Sequence, residues 1–307
     1  MCKDCGCGLP GEEPGGVSGH SHQHSHEHAH SHEHAHEHSH NHTHDHEHPH
    51  GPGEHHGHEH SHSHTHPHSH PHRDQQKPDE ELRRTVQVRQ SILSKNDRLA
   101  ERNRGFFRAR GLLVLNVLSS PGSGKTTFLR ETVKALGEKL KTGLVVGDLA
   151  TDNDAQRLRA SGAPVVQITT GTMCHLEADM VARAVKGLPL DGLGLLIIEN
   201  VGNLVCPASY DLGEDLRIVL FSVTEGEDKP LKYPPMFQAA DVVILSKIDL
   251  AQACDFSREQ ALESIRRAAP KAKLFETSAK TGQGMAAWRD YLIEQQQRKR
   301  AADPLAL

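Results

Sequence analysis

The sequence is poor in the residues that hydrophobic cores lean on. Of 307 residues only 4% are aromatic (one Trp, three Tyr, seven Phe), and the apolar share is 35%, against about 45–50% for an ordinary globular domain with glycine counted. It has no long apolar run. The longest, at 112–118 and 193–198, fall far short of the ~20 residues that span a bilayer, which argues against membrane insertion. Residues 1–19 hold no apolar core of an export signal, so a cytoplasmic location is the expectation. Positive charge is not in excess either: 35 Lys+Arg against 40 Asp+Glu give a net charge of −5, which speaks against non-specific nucleic-acid binding.

The apolar shortfall is local. Of 27 histidines, 26 lie between His20 and His72, alternating with Ser, Glu, Ala, Thr or Asn. A strand of that pattern would have nothing apolar to bury on its other face. The ordering entropy of roughly 1–2 kcal/mol per residue is then uncompensated, and residues 20–72 are expected to be disordered. Neutral imidazoles are good borderline metal ligands, and at an ordinary pKa of about 6.5 most are neutral at pH 7. Many weak sites give capacity rather than geometric precision. A proton buffer or a solubilising tail is the duller reading. An expression tag fits poorly, because tags are contiguous.

The six cysteines are Cys2, Cys5, Cys7, Cys174, Cys206 and Cys254. In a reducing compartment, clustered cysteines are more often metal or redox groups than disulfides. The C-x-x-C-x-C at residues 2–7 lets three thiolates converge on one ion, against the alternative of incidental cysteines on a flexible terminus. Cys254 has no partner motif and reads as structural.

Residues 79–104 read as an amphipathic helix, its stripe formed by Leu82, Val86, Val88, Ile92, Leu93 and Leu99. Packing on the following domain is favoured over a membrane or partner role. Beyond it, seven β-rich runs at 112–118, 144–148, 165–168, 194–199, 217–223, 241–246 and 273–277 alternate with helical segments. That order predicts a doubly wound α/β sheet, mostly parallel, in one domain over 105–298. The charged tail after Leu292 is expected to fray.

The first run leads into SSPGSGKTT at 119–127 and then a helix, the context of a P-loop. Gly122 and Gly124 let the backbone wrap closely, with Ser123, so that N–H groups face phosphate oxygens. The helix start adds a favourable dipole. Lys125 would reach the β- and γ-phosphates, with Thr126 on Mg²⁺ and Thr127 next to it. The first glycine of the usual pattern is Ser119 here. Asp148 and Glu199 each close a strand and face the same crevice, since ligands gather at the carboxyl ends of parallel strands. Either could hold Mg²⁺ or position the attacking water; a helix cap or a solvated acid is the alternative for each alone. SKID at 246–249 is similar to the N-K-x-D guanine element, with Ser246 in place of Asn. Asp249 can accept from guanine N1–H and the 2-amino group together, a donor pair that adenine lacks. Lys247 would lie across the base. The loop holding Ser278, Ala279 and Lys280 resembles a second guanine-contacting element. GTP is therefore read over ATP.

Cys174-His175 follows the third run, and Cys206 follows Glu199 by a short loop. Two thiolates and an imidazole suit Zn²⁺, Ni²⁺ or Cu, and affinity alone does not select nickel. A buried Cys beside a capping His is the bland alternative. A loop near a γ-phosphate is expected to move on hydrolysis, which favours a metal reading.

Taken together, the N-terminal C-x-x-C-G-C, the His-rich insert, LAERNR (99–104), SSPGSGKTT, TTGTMCHL, ENVGNLVCPASYDLGE, SVTEGEDKPLKYP (222–234) and SAKTGQGM (278–285) resemble the HypB-type hydrogenase nickel-incorporation GTPases. These belong to the same broad class as the urease accessory GTPase UreG. The resemblance implies a SIMIBI-class sheet and a nucleotide-dependent homodimer. It also implies nickel delivery to the large-subunit precursor of a [NiFe] hydrogenase, with a HypA-type partner. By residue, it implies a tight nickel site at Cys2, Cys5 and Cys7 and a weaker nickel or zinc site at Cys174, His175 and Cys206. It brings Lys229 towards the nucleotide of a neighbouring subunit. The expected mechanism is a slow regulatory GTPase in which Lys125, Asp148 and Glu199 carry hydrolysis. The rivals are a storage protein centred on the histidines, a urease-type nickel GTPase, and a translation or signalling GTPase that binds metal only incidentally.

Overall fold

The computed structural model describes residues 76–148 and 152–302. The expectations for Cys2, Cys5, Cys7 and the histidine tract lie outside the described residues. The seven predicted runs become seven strands: β1 (Leu113–Ser119), β2 (Thr142–Asp148), β3 (Val165–Thr169), β4 (Leu195–Glu199), β5 (Leu216–Ser222), β6 (Val242–Ser246) and β7 (Lys273–Glu276). They form one sheet in the order β3-β2-β4-β1-β5-β6-β7, and every neighbouring pair is parallel. Parallel strands need crossovers, so both sheet faces are covered and the strands are mostly apolar. Every residue of β1, β4 and β6 is buried.

The helices among the described residues are α1 (Gln76–Arg108), α2 (Lys125–Leu136), α3 (Asn153–Arg159), α4 (Ala178–Ala184), α5 (Lys229–Lys232), α6 (Pro234–Gln238), α7 (Arg258–Ala268) and α8 (Met285–Ala302). On one face, Trp288 of α8 packs against Phe128 of α2 and Phe275 of β7, and its indole N–H donates to Thr132 Oγ1 at 3.1 Å. On the other, α1 delivers Phe107 to a cluster with Leu112, Val145 and Ile198. None of the helices described is long and apolar enough to cross a membrane.

Two helices differ from expectation. The stripe that α1 buries is Asn96, Ala100, Asn103 and Phe107, while Val86, Val88 and Ile92 are exposed. The helix is anchored by polar groups instead. Asn96 donates to Asp211 O and accepts from Ala178 N–H, and Asn103 donates to Ala178 O and Leu212 O. The tail after Leu292 does not fray but continues to Ala302. Its buried line of Met285, Trp288, Leu292 and Gln296 follows the 3–4 spacing of a helix face. Gln296 donates to Gly111 O at 2.7 Å, and the charges lie on the remaining faces.

Because the sheet is parallel, the ends of β1, β2, β4, β6 and β7 all open on one edge. Every candidate site residue among those described lies on or just past that edge, apart from the α5 residue Lys229.

Candidate functional site

The loop after β1 is built for close approach. Gly122 and Gly124 have φ of +76° and +93°, a region that side-chain-bearing residues rarely adopt. The loop, with Gly147, Asp148, Asp154, Arg157, Val201 and Gly202, lines an open cleft of about 380 Å³. Glu199, the last residue of β4, lies beneath it. Its Oε1 accepts from Thr126 Oγ1 at 2.8 Å and lies 3.3 Å from Lys125 Nζ. Burial pushes the Glu199 carboxyl above its usual range, with Lys125 and Thr126 pulling the other way. Glu199 Oε2 and Ser123 Oγ are buried with no hydrogen-bond partner. These orphaned oxygens beside a lysine and a threonine hydroxyl suit a bound cation and its phosphate ligands. Asp148 is half-buried at the cleft wall.

The loops after β6 and β7 are tied to the loop after β1. Ser246 Oγ donates to Ser123 O at 2.9 Å and to Phe221 O at 3.2 Å. The Asn-to-Ser departure therefore still bonds the end of β6 to the phosphate loop. Lys247, in the left-handed region at φ 57°, donates from Nζ to Gly122 O at 2.7 Å. Asp249 Oδ1 accepts from Ser278 Oγ at 2.6 Å, and Ser278 Oγ also accepts from Thr281 N–H. Ala279 and Lys280 form the turn between them. The two loops read separately from sequence are thus joined.

The second constellation is compact. One ligand atom each from Cys174, His175 and Cys206 lies within 4.8 Å of the others. Cys174 Sγ is 3.8 Å from His175 Nδ1. The His175 ring is stacked on Tyr210, with centroids 3.8 Å apart, and its Nε2 is buried without a hydrogen-bond partner. Burial lowers the His175 pKa, against the opposing pull of Glu177. A neutral imidazole beside two sulfurs is the form a metal needs. Cys206 opens a short turn with Pro207 and is itself buried. The loop from Glu199 to Cys206 runs along the phosphate loop, since a Cβ on Gly202 would lie 3.3 Å from Pro121 Cα.

Lys229 stays with its own segment here, 3.2 Å from Glu225 Oε1 and over the Tyr233 ring. Cys254, read as structural, is exposed. Sequence reading missed Asp154 and Arg157 at the cleft. Their one available signal was position, on the first helix after Asp148.

Comparison with known proteins agrees with this geometry. Residues 113–276 match the family described as "CobW/HypB/UreG, nucleotide-binding domain". The chain is 51% identical over 213 residues to the hydrogenase maturation factor HypB of Escherichia coli K12, covering 69% of this chain and 73% of that one. It is 45% identical over 216 residues to the hydrogenase/urease maturation factor HypB of Helicobacter pylori strain 26695, covering 69% of this chain and 88% of that one. Among solved structures, HypB from H. pylori in complex with nickel superposes with a TM-score of 0.64 at 45% identity, covering 66% of this chain and 96% of that one. HypB from Archaeoglobus fulgidus gives a TM-score of 0.62 at 38% identity, with 66% and 99% covered. The phosphate cradle, the sulfur–imidazole cluster and these likenesses over most of the described chain converge: the protein belongs to the CobW/HypB/UreG nucleotide-binding family, among the HypB hydrogenase maturation factors.

Proposed function

We propose that this chain is a GTP-hydrolysing nickel carrier of the cytoplasm, which loads the large-subunit precursor of a [NiFe] hydrogenase as a homodimer working with a HypA-type partner. Lys125 neutralises the β- and γ-phosphates, and backbone N–H groups from Gly122 to Thr127 orient them. Thr126, Asp148 and Glu199 are the groups that would hold Mg²⁺, which when bound offsets phosphate charge. Asp249 selects guanine, with Lys247 and the 278–280 turn framing the base. Lys229 of one subunit approaches the nucleotide of the other. Nickel is the cargo. The histidine tract stores it, Cys2, Cys5 and Cys7 hold it tightly, and Cys174, His175 and Cys206 bind nickel or zinc.

The observation that carries this reading is the loop from Glu199 to Cys206. One end accepts from Thr126 and pairs with Lys125; the other supplies a sulfur within 4.8 Å of Cys174 and His175 ligand atoms. A slow hydrolysis step then works as a switch that alters the grip on the ion. Linkage makes the effect reciprocal: if nucleotide state changes metal affinity, metal changes nucleotide affinity by the same factor. Nickel titration in GDP and in a non-hydrolysable GTP analogue tests it. Different affinities are expected, and equal ones would overturn the switch.

The H. pylori relative is named for both hydrogenase and urease, which keeps a urease client as the second reading. Activation assays on apo-hydrogenase precursor and apo-urease separate the two. Deleting residues 20–72 asks whether storage is accessory: maturation that survives at low nickel makes it so.

A further inference from the structure

Both segments of the sulfur–imidazole cluster hang on one polar circuit, and that circuit runs through Asn200, which lies in the chain between Glu199 and the cleft residues Val201 and Gly202. Asn200 directly follows Glu199 and is fully buried. Its Oδ1 accepts from Leu176 N–H at 3.2 Å and from its own neighbour Val201 at 2.9 Å. Leu176 is the residue after His175. Asn200 Nδ2 donates to Asn116 Oδ1 at 3.2 Å, and Asn116 Nδ2 donates to Glu214 Oε1 at 3.1 Å. Glu214 accepts from Arg217 at 2.8 Å, and Arg217 donates onward to Ala208 O and Tyr210 O on the Cys206 side. Tyr210 stacks on His175 and closes the circuit.

The direction of this chain is fixed. A carboxylate can only accept, so Asn116 must turn its NH₂ to Glu214 and its oxygen to Asn200. Asn200 must then donate to Asn116, which leaves its oxygen for two backbone N–H groups. Neither amide can flip without placing two acceptors, or two donors, face to face. A residue with every polar atom engaged moves only with its partners.

Resting on the proposed switch and deepening it, we infer that Asn200 is the positioning residue through which Glu199 sets the Cys174-His175 segment. When Glu199 shifts towards a bound cation, the adjoining Asn200 carboxamide shifts the Leu176 amide, and His175 moves against Tyr210. The side chain touches neither nucleotide nor metal. Removing it leaves both sites present but uncoupled.

The test uses the full chain. With Cys2, Cys5 and Cys7 changed to Ser throughout, the nickel affinity ratio between the GDP and GTP-analogue states is read from thiolate-to-nickel charge-transfer absorbance for the parent, for Asn200→Ser, and for Gln296→Ala as a buried-bond control at the far end of the sheet. A coupling of about 5–150-fold is usual for linked sites. The ratio is expected to fall towards one in Asn200→Ser and to stay at the parental value in Gln296→Ala. A parental ratio of one means that the switch itself fails. A parental ratio well above one, retained in Asn200→Ser, overturns the role of Asn200 alone. Should Asn200→Ser not fold, the Leu176 amide resonance in the metal-free parent decides: it is expected to shift between GDP and GTP analogue, and an unmoved resonance overturns the inference.

Discussion

Tyr210 lies nearly flat on His175, with ring centroids 3.8 Å apart and planes 25° from parallel. The stack covers one face of the imidazole, and it joins the two segments of the sulfur–imidazole cluster without a covalent link. Aromatic pairs contribute about 0.5–1.5 kcal/mol beyond burial. Tyr210→Ala should therefore weaken metal binding at Cys174, His175 and Cys206 by roughly two- to tenfold, while Tyr210→Phe, which keeps the ring, stays within about twofold. Thiolate-to-cobalt charge-transfer absorbance reads this, with Cys2, Cys5 and Cys7 changed to Ser so that the inner sulfurs alone report. Equal affinities in the Ala and Phe variants would dismiss the stack.

Asp249 Oδ1 accepts from Ser278 Oγ at 2.6 Å, which fixes the carboxylate proposed to select guanine. Asp249→Asn replaces one acceptor with a donor, which leaves one guanine N–H facing an amide donor and without a partner. Leaving such groups unpaired costs about 1–3 kcal/mol each, so GTP affinity should fall at least tenfold. Xanthine carries a carbonyl where guanine carries the 2-amino group, so the same variant should bind the xanthine nucleotide better than the parent does. Competition against a fluorescent guanine nucleotide measures both. Unchanged guanine preference would remove Asp249 from base recognition.

Much of this was legible in the sequence because it rests on local rules. The strand periods and the Gly-rich turn are written in consecutive residues, and the parallel sheet follows from their alternation. The closeness of Cys174, His175 and Cys206 follows in turn from two loops leaving β3 and β4, the strands on either side of β2, at one sheet edge. Less legible was what depends on side chains distant in sequence. Asn96 and Asn103 look like polar breaks in an apolar stripe, yet they dock α1 by bonding carbonyls and N–H groups more than 70 residues away. Periodicity counts apolar residues and so pointed to Val86 and Ile92, which face solvent. Gln296 was hidden for the same reason. Its value lies in one bond to Gly111, which no local pattern encodes.

The docking of α1 gives a stability prediction. Gly213 has φ +90°, and a Cβ there would sit 2.7 Å from Ala100 O and 2.9 Å from Arg104 N. The backbone of the loop is pressed against the helix backbone, so the obstruction cannot swing aside. The left-handed conformation alone costs a side-chain-bearing residue about 1–2 kcal/mol, and displacing the helix adds the loss of the Asn96 and Asn103 bonds. Gly213→Ala should lower unfolding stability by at least about 2 kcal/mol. Gly105→Ala, with open space around its Cβ, should be neutral or slightly stabilising. Urea denaturation followed by circular dichroism compares them, and a Gly213→Ala midpoint equal to the parent would contradict the tight approach.

Glu214 links stability to pH. Burial alone would raise its carboxyl pKa, but the Arg217 charge, the Asn116 amide and the Leu212 N–H outweigh burial and hold it below the ordinary carboxylate range. The unfolded chain binds a proton near pH ~4.3, whereas the folded chain resists protonation to a lower pH. Stability from this group is therefore fully present above the unfolded value and is lost as pH falls through the folded one. Asp211 close by runs the opposite way, because burial raises its pKa, so the total acid response mixes the two. Glu214→Gln isolates the first. The variant should be less stable than the parent by about 1.5–3 kcal/mol at pH 7, the range for hydrogen bonds to a charged group. That gap should narrow as pH drops through the folded value, because the parent loses what the variant never had. A gap that stays constant down to about pH 3 would mean that the Glu214 carboxylate is not the charged anchor of Arg217 that its bonds describe.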